Sequence, residues 1–260
     1  MPTARKKKKY SRTAQAEMQK RESAERERKS SLRTTIITLV LGVVLTVSFL
    51  KWPISLDFTA APFTQEPLAA IVDTSFTAEG EPVSDTVRFG TTPQRGGETA
   101  AFCEVGGKLF KLGTVESSDS CSLTPVKIDS EGNVGEYYVY SAALEYSGDT
   151  KLIQIGEDGV PVSLLEIAGV ATSVDLDGDG MDETVLETGA VKTCYVYEWE
   201  PEAGQARFAS INAGLKKETV FFNPENNYFT PTFGGIGFLL DSFTYGNERL
   251  ERHVRLNSGQ

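Results

Sequence analysis

Five acidic side chains crowd into the nine residues Asp175-Leu-Asp-Gly-Asp-Gly-Met-Asp-Glu183. Asp175, Asp177 and Asp179 take loop positions one, three and five, Gly180 takes six and Glu183 takes nine. A hard, oxygen-seeking cation requires this alternation. Asp175, Asp177 and Asp179 each turn a carboxylate inward, Met181 offers its backbone carbonyl, and Glu183 closes the shell. Without a cation the acids would repel one another. The sequence therefore predicts bound Ca2+ with Asp175, Asp177, Asp179, Met181 and Glu183 as ligands. Such an ion acts first as a staple on a tight turn.

An EF-hand needs flanking helices and a glutamate at loop position twelve. Here position twelve is Leu186, and strand patterns flank the loop on both sides. The loop with its following strand Thr184-Val-Leu-Glu187 resembles the calcium loops of FG-GAP and VCBS-type repeats, Asp-x-Asp-x-Asp-Gly-x-x-Asp/Glu. The resemblance implies a loop joining blade strands of a β-propeller, with an aspartate cage around calcium. It assigns side-chain ligation to Asp175, Asp177, Asp179 and Glu183, and carbonyl ligation to Met181. The chain carries one such loop, and no Phe-Gly…Gly-Ala-Pro signature precedes it.

Other chemistry is sparse. His253 is the single histidine, so a Ser-His-Asp triad or a His-rich zinc site is hard to build; it reads as a strand surface residue. Glu198 and Glu200 flank Trp199, but in a strand the two acids share one face and the indole takes the other. Trp199 is thus expected in the core, and the trio does not converge on a sugar. Gly234-Gly235-Ile-Gly237 lacks the strand–helix setting of a phosphate loop. Cys194 reads as a small core residue. Cys103 and Cys121 flank a hairpin; a disulfide and two free thiols both fit.

Charge divides the chain. Residues 1–33 carry twelve Lys/Arg against four Glu, whereas the remainder carries fourteen against 32 Asp/Glu. Between them Thr34–Leu50 runs seventeen residues without a charge, close to the lower length limit for a bilayer span. Trp52 suits an interfacial anchor, and the upstream cations put the N-terminus in the cytoplasm. The expectation is a signal anchor over 34–52 in a single-pass, bacterial cell-membrane protein. A cleaved signal peptide, with Thr59-Ala60-Ala61 as its site, is the other reading; the long basic lead favours the anchor. Arg5-Lys-Lys-Lys-Lys9 near such a span serves topology and meets anionic lipid rather than nucleic acid. Residues 13–31 read as a solvated helix with Glu-Lys/Arg pairs four apart.

Residues 53–67 read as a linker. From 68 to 260 short strand patterns alternate with turn signals, including Gly106-Gly107, Ser147-Gly148-Asp149, Gly204 and Gly246-Asn247. The predicted fold is all-β: propeller-like, or a compact antiparallel β domain, after one N-terminal transmembrane helix. Aromatic hairpins at Tyr137–Ile155, Tyr195–Ile211 and Phe238–Leu256 suggest repeated blades. The expected role is a calcium-stabilised extracytoplasmic module that binds or scaffolds a protein or cell-envelope polymer. The alternative is an envelope hydrolase acting on polysaccharide or peptide. The residues favour the noncatalytic reading.

Overall fold

Period-two alternation and turn glycines build nineteen strands among the described residues of the computed structural model. Those residues are 12–50, 53–71, 80–94, 98–128, 136–144, 147–231 and 239–256. The Gly234–Gly237 run and the Arg5–Lys9 run lie outside them. The chain divides into two compact units, Met1–Trp52 and Pro53–Gln260.

The first unit is one helix, α1 (Arg12–Leu50). Its charged half carries a Glu25–Lys29 ion pair at 2.7 Å, one turn apart as expected. Leu32, Ile36, Ile37, Leu39, Val40 and Leu41 are all exposed. Among the described residues no helix is long and apolar enough to cross a membrane. The side chains of 43–50, the second half of the apolar run, are outside the described set.

The second unit is all-β and antiparallel. Four meanders follow one another along the chain. Sheet I holds β4 (Glu81–Pro82), β5 (Val87–Pro93), β6 (Thr99–Val105) and β7 (Lys108–Val115). Sheet II holds β8 (Cys121–Pro125), β9 (Glu136–Leu144), β10 (Ser147–Ile155) and β11 (Pro161–Ala168). Sheet III holds β12 (Val170–Val174), β13 (Glu183–Thr188), β14 (Thr193–Glu200) and β15 (Gln205–Ser210). After the short helix α2 (Ile211–Leu215), sheet IV holds β16 (Val220–Asn223), β17 (Tyr228–Pro231), β18 (Leu239–Gly246) and β19 (Arg249–Leu256).

Residues 53–67 correct the linker reading. They form β1 (Ile54–Ser55), β2 (Thr59–Pro62) and β3 (Glu66–Pro67), which pair in turn with β19, β15 and β11. Ala70 then bridges to Phe110 in β7. The segment is a strap that adds a strand to the last strands of sheets IV, III and II in turn and then bridges to the last strand of sheet I. Its prolines are tolerated because edge strands need only part of their N–H groups in a ladder. Leu56, 7% exposed, is its buried anchor. Gly214 in α2 makes room for it, since a Cβ there would stand 2.5 Å from Leu56 Cδ2.

Neighbouring sheets share apolar clusters. Phe110 and Leu112 of sheet I pack with Tyr140 and Ile153 of sheet II. Val139, Leu152 and Leu164 of sheet II meet Ala171 and Trp199 of sheet III. Val185 and Val196 of sheet III join Phe229, Phe243 and Leu250 of sheet IV. Asn212 of α2, almost fully buried, accepts from Cys194 N–H and donates to the Lys192 and Glu218 carbonyls, tying the III–IV crossover together. The three cysteines are free thiols. Cys194 is fully buried, and its thiol is pushed up to about 12, chiefly by burial.

The aromatic hairpins are present but out of phase. β9–β10 is the second and third strands of sheet II, whereas β14–β15 and β18–β19 are the third and fourth strands of theirs. Gly148, read as a turn, lies inside β10. It faces Gly169 where sheet II passes to sheet III, and a Cβ on Gly148 would stand 2.4 Å from the Gly169 carbonyl carbon. Gly169 N–H donates to Gly148 O at 3.0 Å, so the two backbones cannot separate freely. Gly148→Ala should therefore cost about 3 kcal/mol, read as a lower urea midpoint at unchanged slope; an unchanged midpoint would show that the crossing can open.

Candidate metal centre and adjoining acidic cavity

The acidic loop is a hairpin connection. Val174 at the end of β12 pairs with Glu183 at the start of β13, so residues 175–182 span the first turn of sheet III. Leu176 points into the III–IV core, which sends the flanking Asp175 and Asp177 the other way. Gly178 and Gly180 adopt left-handed φ of 80° and 88°, where a side chain would strain the turn.

Within this turn Asp175, Asp177 and Glu183 bring ligand oxygens to within 4.8 Å of one another. Asp175 accepts from Gly178 N–H at 2.7 Å and Gly180 N–H at 3.0 Å. Glu183 accepts from Leu176 N–H at 2.8 Å. Asp177 accepts from Asp179 N–H at 3.2 Å, so all three carboxylates are oriented by the loop backbone itself. Glu183 is only 6% exposed. Burial pushes its carboxyl up to about 7, against the Leu176 hydrogen bond that lowers it; the charges of Asp177, Asp179 and Asp175 add to the rise.

The structure sorts the remaining loop residues differently from the sequence. Asp179 lies outside the trio; its carboxylate accepts from Met181 N–H at 2.8 Å. Met181 lines the adjoining cavity. Asp182 is half-buried and faces away from the trio's ligand set. Its carboxylate accepts from Lys127 N–H at 2.9 Å, and its own N–H donates to Lys127 O at 2.7 Å, clasping the loop to the segment after β8. Asn227 adds a bond from its side chain to Asp175 O.

Beside the loop is a cavity of about 330 Å³ bounded by Asp177, Asp179, Glu183, Glu198, Trp199, Glu200, Arg207 and Glu248. Arg207 organises it. Its guanidinium meets Glu198, Glu200 at 2.6 Å and Glu248 at 2.8 Å. Tyr245 donates its hydroxyl to Glu198. Burial raises the Glu198 carboxyl, while Tyr245 and Arg207 oppose the rise. Glu198 and Glu200 do share a face, as period two requires, and both spend their charge on the same cation. Trp199 is half-buried and donates Nε1–H to Thr184 at 3.2 Å. His253 is exposed on β19, with Nε2 2.9 Å from Thr244 Oγ1.

Arg207, Glu248 and Tyr245 escape a reading of motifs. They lie 9 to 50 residues from Glu198 in sequence, and only the β14–β15 register, which sets Glu198 opposite Arg207, could have hinted at one of them. A larger cleft of about 570 Å³ lies at the ends of sheets I and II, where Thr86 donates to Glu136 at 2.6 Å. Compared with known proteins, the chain matches no family model, no curated protein and no solved structure, so its likeness to FG-GAP and VCBS-type repeats is carried by the nine-residue loop.

Proposed function

We propose that this chain is a single-pass membrane protein whose acidic β body, a four-bladed propeller-like array, stands outside the cytoplasm and is stapled by Ca2+ at the 175–183 loop. Its role is that of a noncatalytic module that binds or scaffolds a protein or cell-envelope polymer. The observation that carries the reading is the convergence of Asp175, Asp177 and Glu183 within 4.8 Å on a turn that only left-handed glycines allow. All-oxygen, all-carboxylate donors suit a hard divalent ion. Burial of Glu183 disfavours its charge, and a bound cation is the partner that would keep it ionised. Asp179 or the Met181 carbonyl, together with water, would complete the shell.

Four successive four-stranded meanders, each packed on the next, support the propeller-like reading. The anchor rests on the uncharged Thr34–Leu50 run inside α1 and on the apolar side chains that its described half exposes. The charge split gives it direction. Glu198 and Glu200, the carboxylates best placed beside an aromatic ring, are both engaged by Arg207, which favours a binder over a hydrolase.

Calorimetric titration and thermal melting of the full chain test this. Calcium at about 100 times its Kd should add about 2.7 kcal/mol, and Asp177→Asn should remove most of that gain. A melting curve blind to millimolar calcium would sink the metal reading. A reporter fused after residue 260 should be active outside the cytoplasm, and activity only inside would sink the topology.

A further inference from the structure

The turn between β18 and β19 holds two successive non-glycine residues, Asn247 and Glu248, at left-handed φ of 50° and 60°. A two-residue hairpin turn of this type is met most easily by Asn-Gly, and a glutamate in the second position is strained. The strained residue makes two contacts. Its carbonyl accepts from Leu56 N–H of the strap at 3.0 Å. Its carboxylate meets Arg207 at 2.8 Å, and the Arg207 guanidinium carbon stands 5.0 Å from the Phe58 ring, again in the strap. On the other side, Asn247 N approaches Asp177 Oδ2 at 3.5 Å, and Gly246 sits against the Asp177 methylene. One turn therefore touches the acidic loop and the first stretch of the strap.

We infer that cation binding at the 175–183 loop and seating of the strap are coupled through the Asn247–Glu248 turn, each strengthening the other. The inference rests on the calcium reading proposed above and names how that site is regulated. Its direction follows from charge. The cavity wall holds seven carboxylates against one guanidinium. With no cation, Asp177 and Asp179 share the cavity wall with Glu248 and repel it, and Asp177 Oδ2 already lies 3.5 Å from the nitrogen of the neighbouring Asn247. That push acts on the turn whose carbonyl holds Leu56. A divalent ion cancels two of those charges and lets the turn settle on both Arg207 and the strap. Linkage then demands the converse: a loosened strap weakens the ion.

Hydrogen exchange on the full-length chain, with and without calcium, tests the coupling. Leu56 N–H reports the near end of the strap, and Ile71 N–H, bonded to Leu109 O, reports the far end. Calcium should slow exchange at Leu56 about tenfold more than at Ile71, and Phe58→Leu, which removes only the ring beside Arg207, should weaken calcium binding about fivefold, at the lower end of typical coupling. Equal slowing at the two amides, or wild-type calcium affinity in Phe58→Leu, overturns the coupling while the calcium site stands. If the wild-type chain gives no calcium heat, the site and the coupling fall together. The exchange arm uses unmodified protein, so it decides the matter even if the variant folds poorly.

Discussion

In chelator, raising the pH from 5 to 8 should destabilise the β body, and calcium should abolish most of that loss. Glu183 is the reason. Its carboxyl rises from the ordinary value to about 7 in the folded chain, chiefly through burial. Between those two values the folded state keeps a proton that the unfolded chain has released. Its contribution to stability is thus fully present below the unfolded pKa and is lost as pH climbs through about 7. One pKa unit corresponds to about 1.4 kcal/mol; discounted for solvent reaching the loop, the shift leaves about 2 kcal/mol. Asp149 and Glu198 are raised too, both mainly by burial, and slope the same way. Glu183→Gln separates them, because it deletes the steepest part of the slope and leaves theirs. In the wild type an ion bound as proposed would stabilise the ionised carboxylate, so calcium binding at pH 6 should release close to one proton. Titrations in buffers of different ionisation enthalpy would count it. If Glu183→Gln keeps the full pH slope, the buried carboxylate is not the source.

Much of the β body is legible in the sequence because the relevant forces are local. The Gly106-Gly107 turn signal is one example: its φ values of 58° and 77° make the two-residue turn between Thr99–Val105 and Lys108–Val115. The acidic loop is legible for the same reason: its spacing orders its own backbone through Asp175 and Gly178. What fails is everything decided by distant partners. The Ile54–Pro67 stretch contains two prolines and no apolar period, yet the edges of three sheets pair with it. Val170–Val174 looks like a loop because every one of its side chains is at most half-buried; register with β13 makes it a strand. The bond that Asp182 accepts from the backbone of Lys127, 55 residues away, is invisible in the spacing of the loop. The aromatic hairpins mislead on phase because an alternating hairpin serves equally well as the middle or the end of a meander.

Removing the strap should do more damage than any single substitution. A chain that begins at residue 72 loses the partners of β19, β15, β11 and β7 together. It loses the N–H bonds of Leu56, Phe63, Thr64, Leu68 and Ile71 to sheets IV, III, II and I. At about 1 kcal/mol net for each, with about 2 kcal/mol for the buried Leu56 side chain, the loss is about 7 kcal/mol. That is comparable with the whole stability of a domain. The bared last strands would also present unpaired edges, which invite pairing between molecules. A chain beginning at residue 53 should melt in one cooperative step, whereas one beginning at 72 should show no cooperative melt and should scatter light on warming. Because the strap makes its contacts mainly through backbone, a synthetic peptide of residues 53–71 should restore the transition when added in excess, and a Leu56→Asp peptide should not. Equal melting of the two chains would reduce the strap to a passenger.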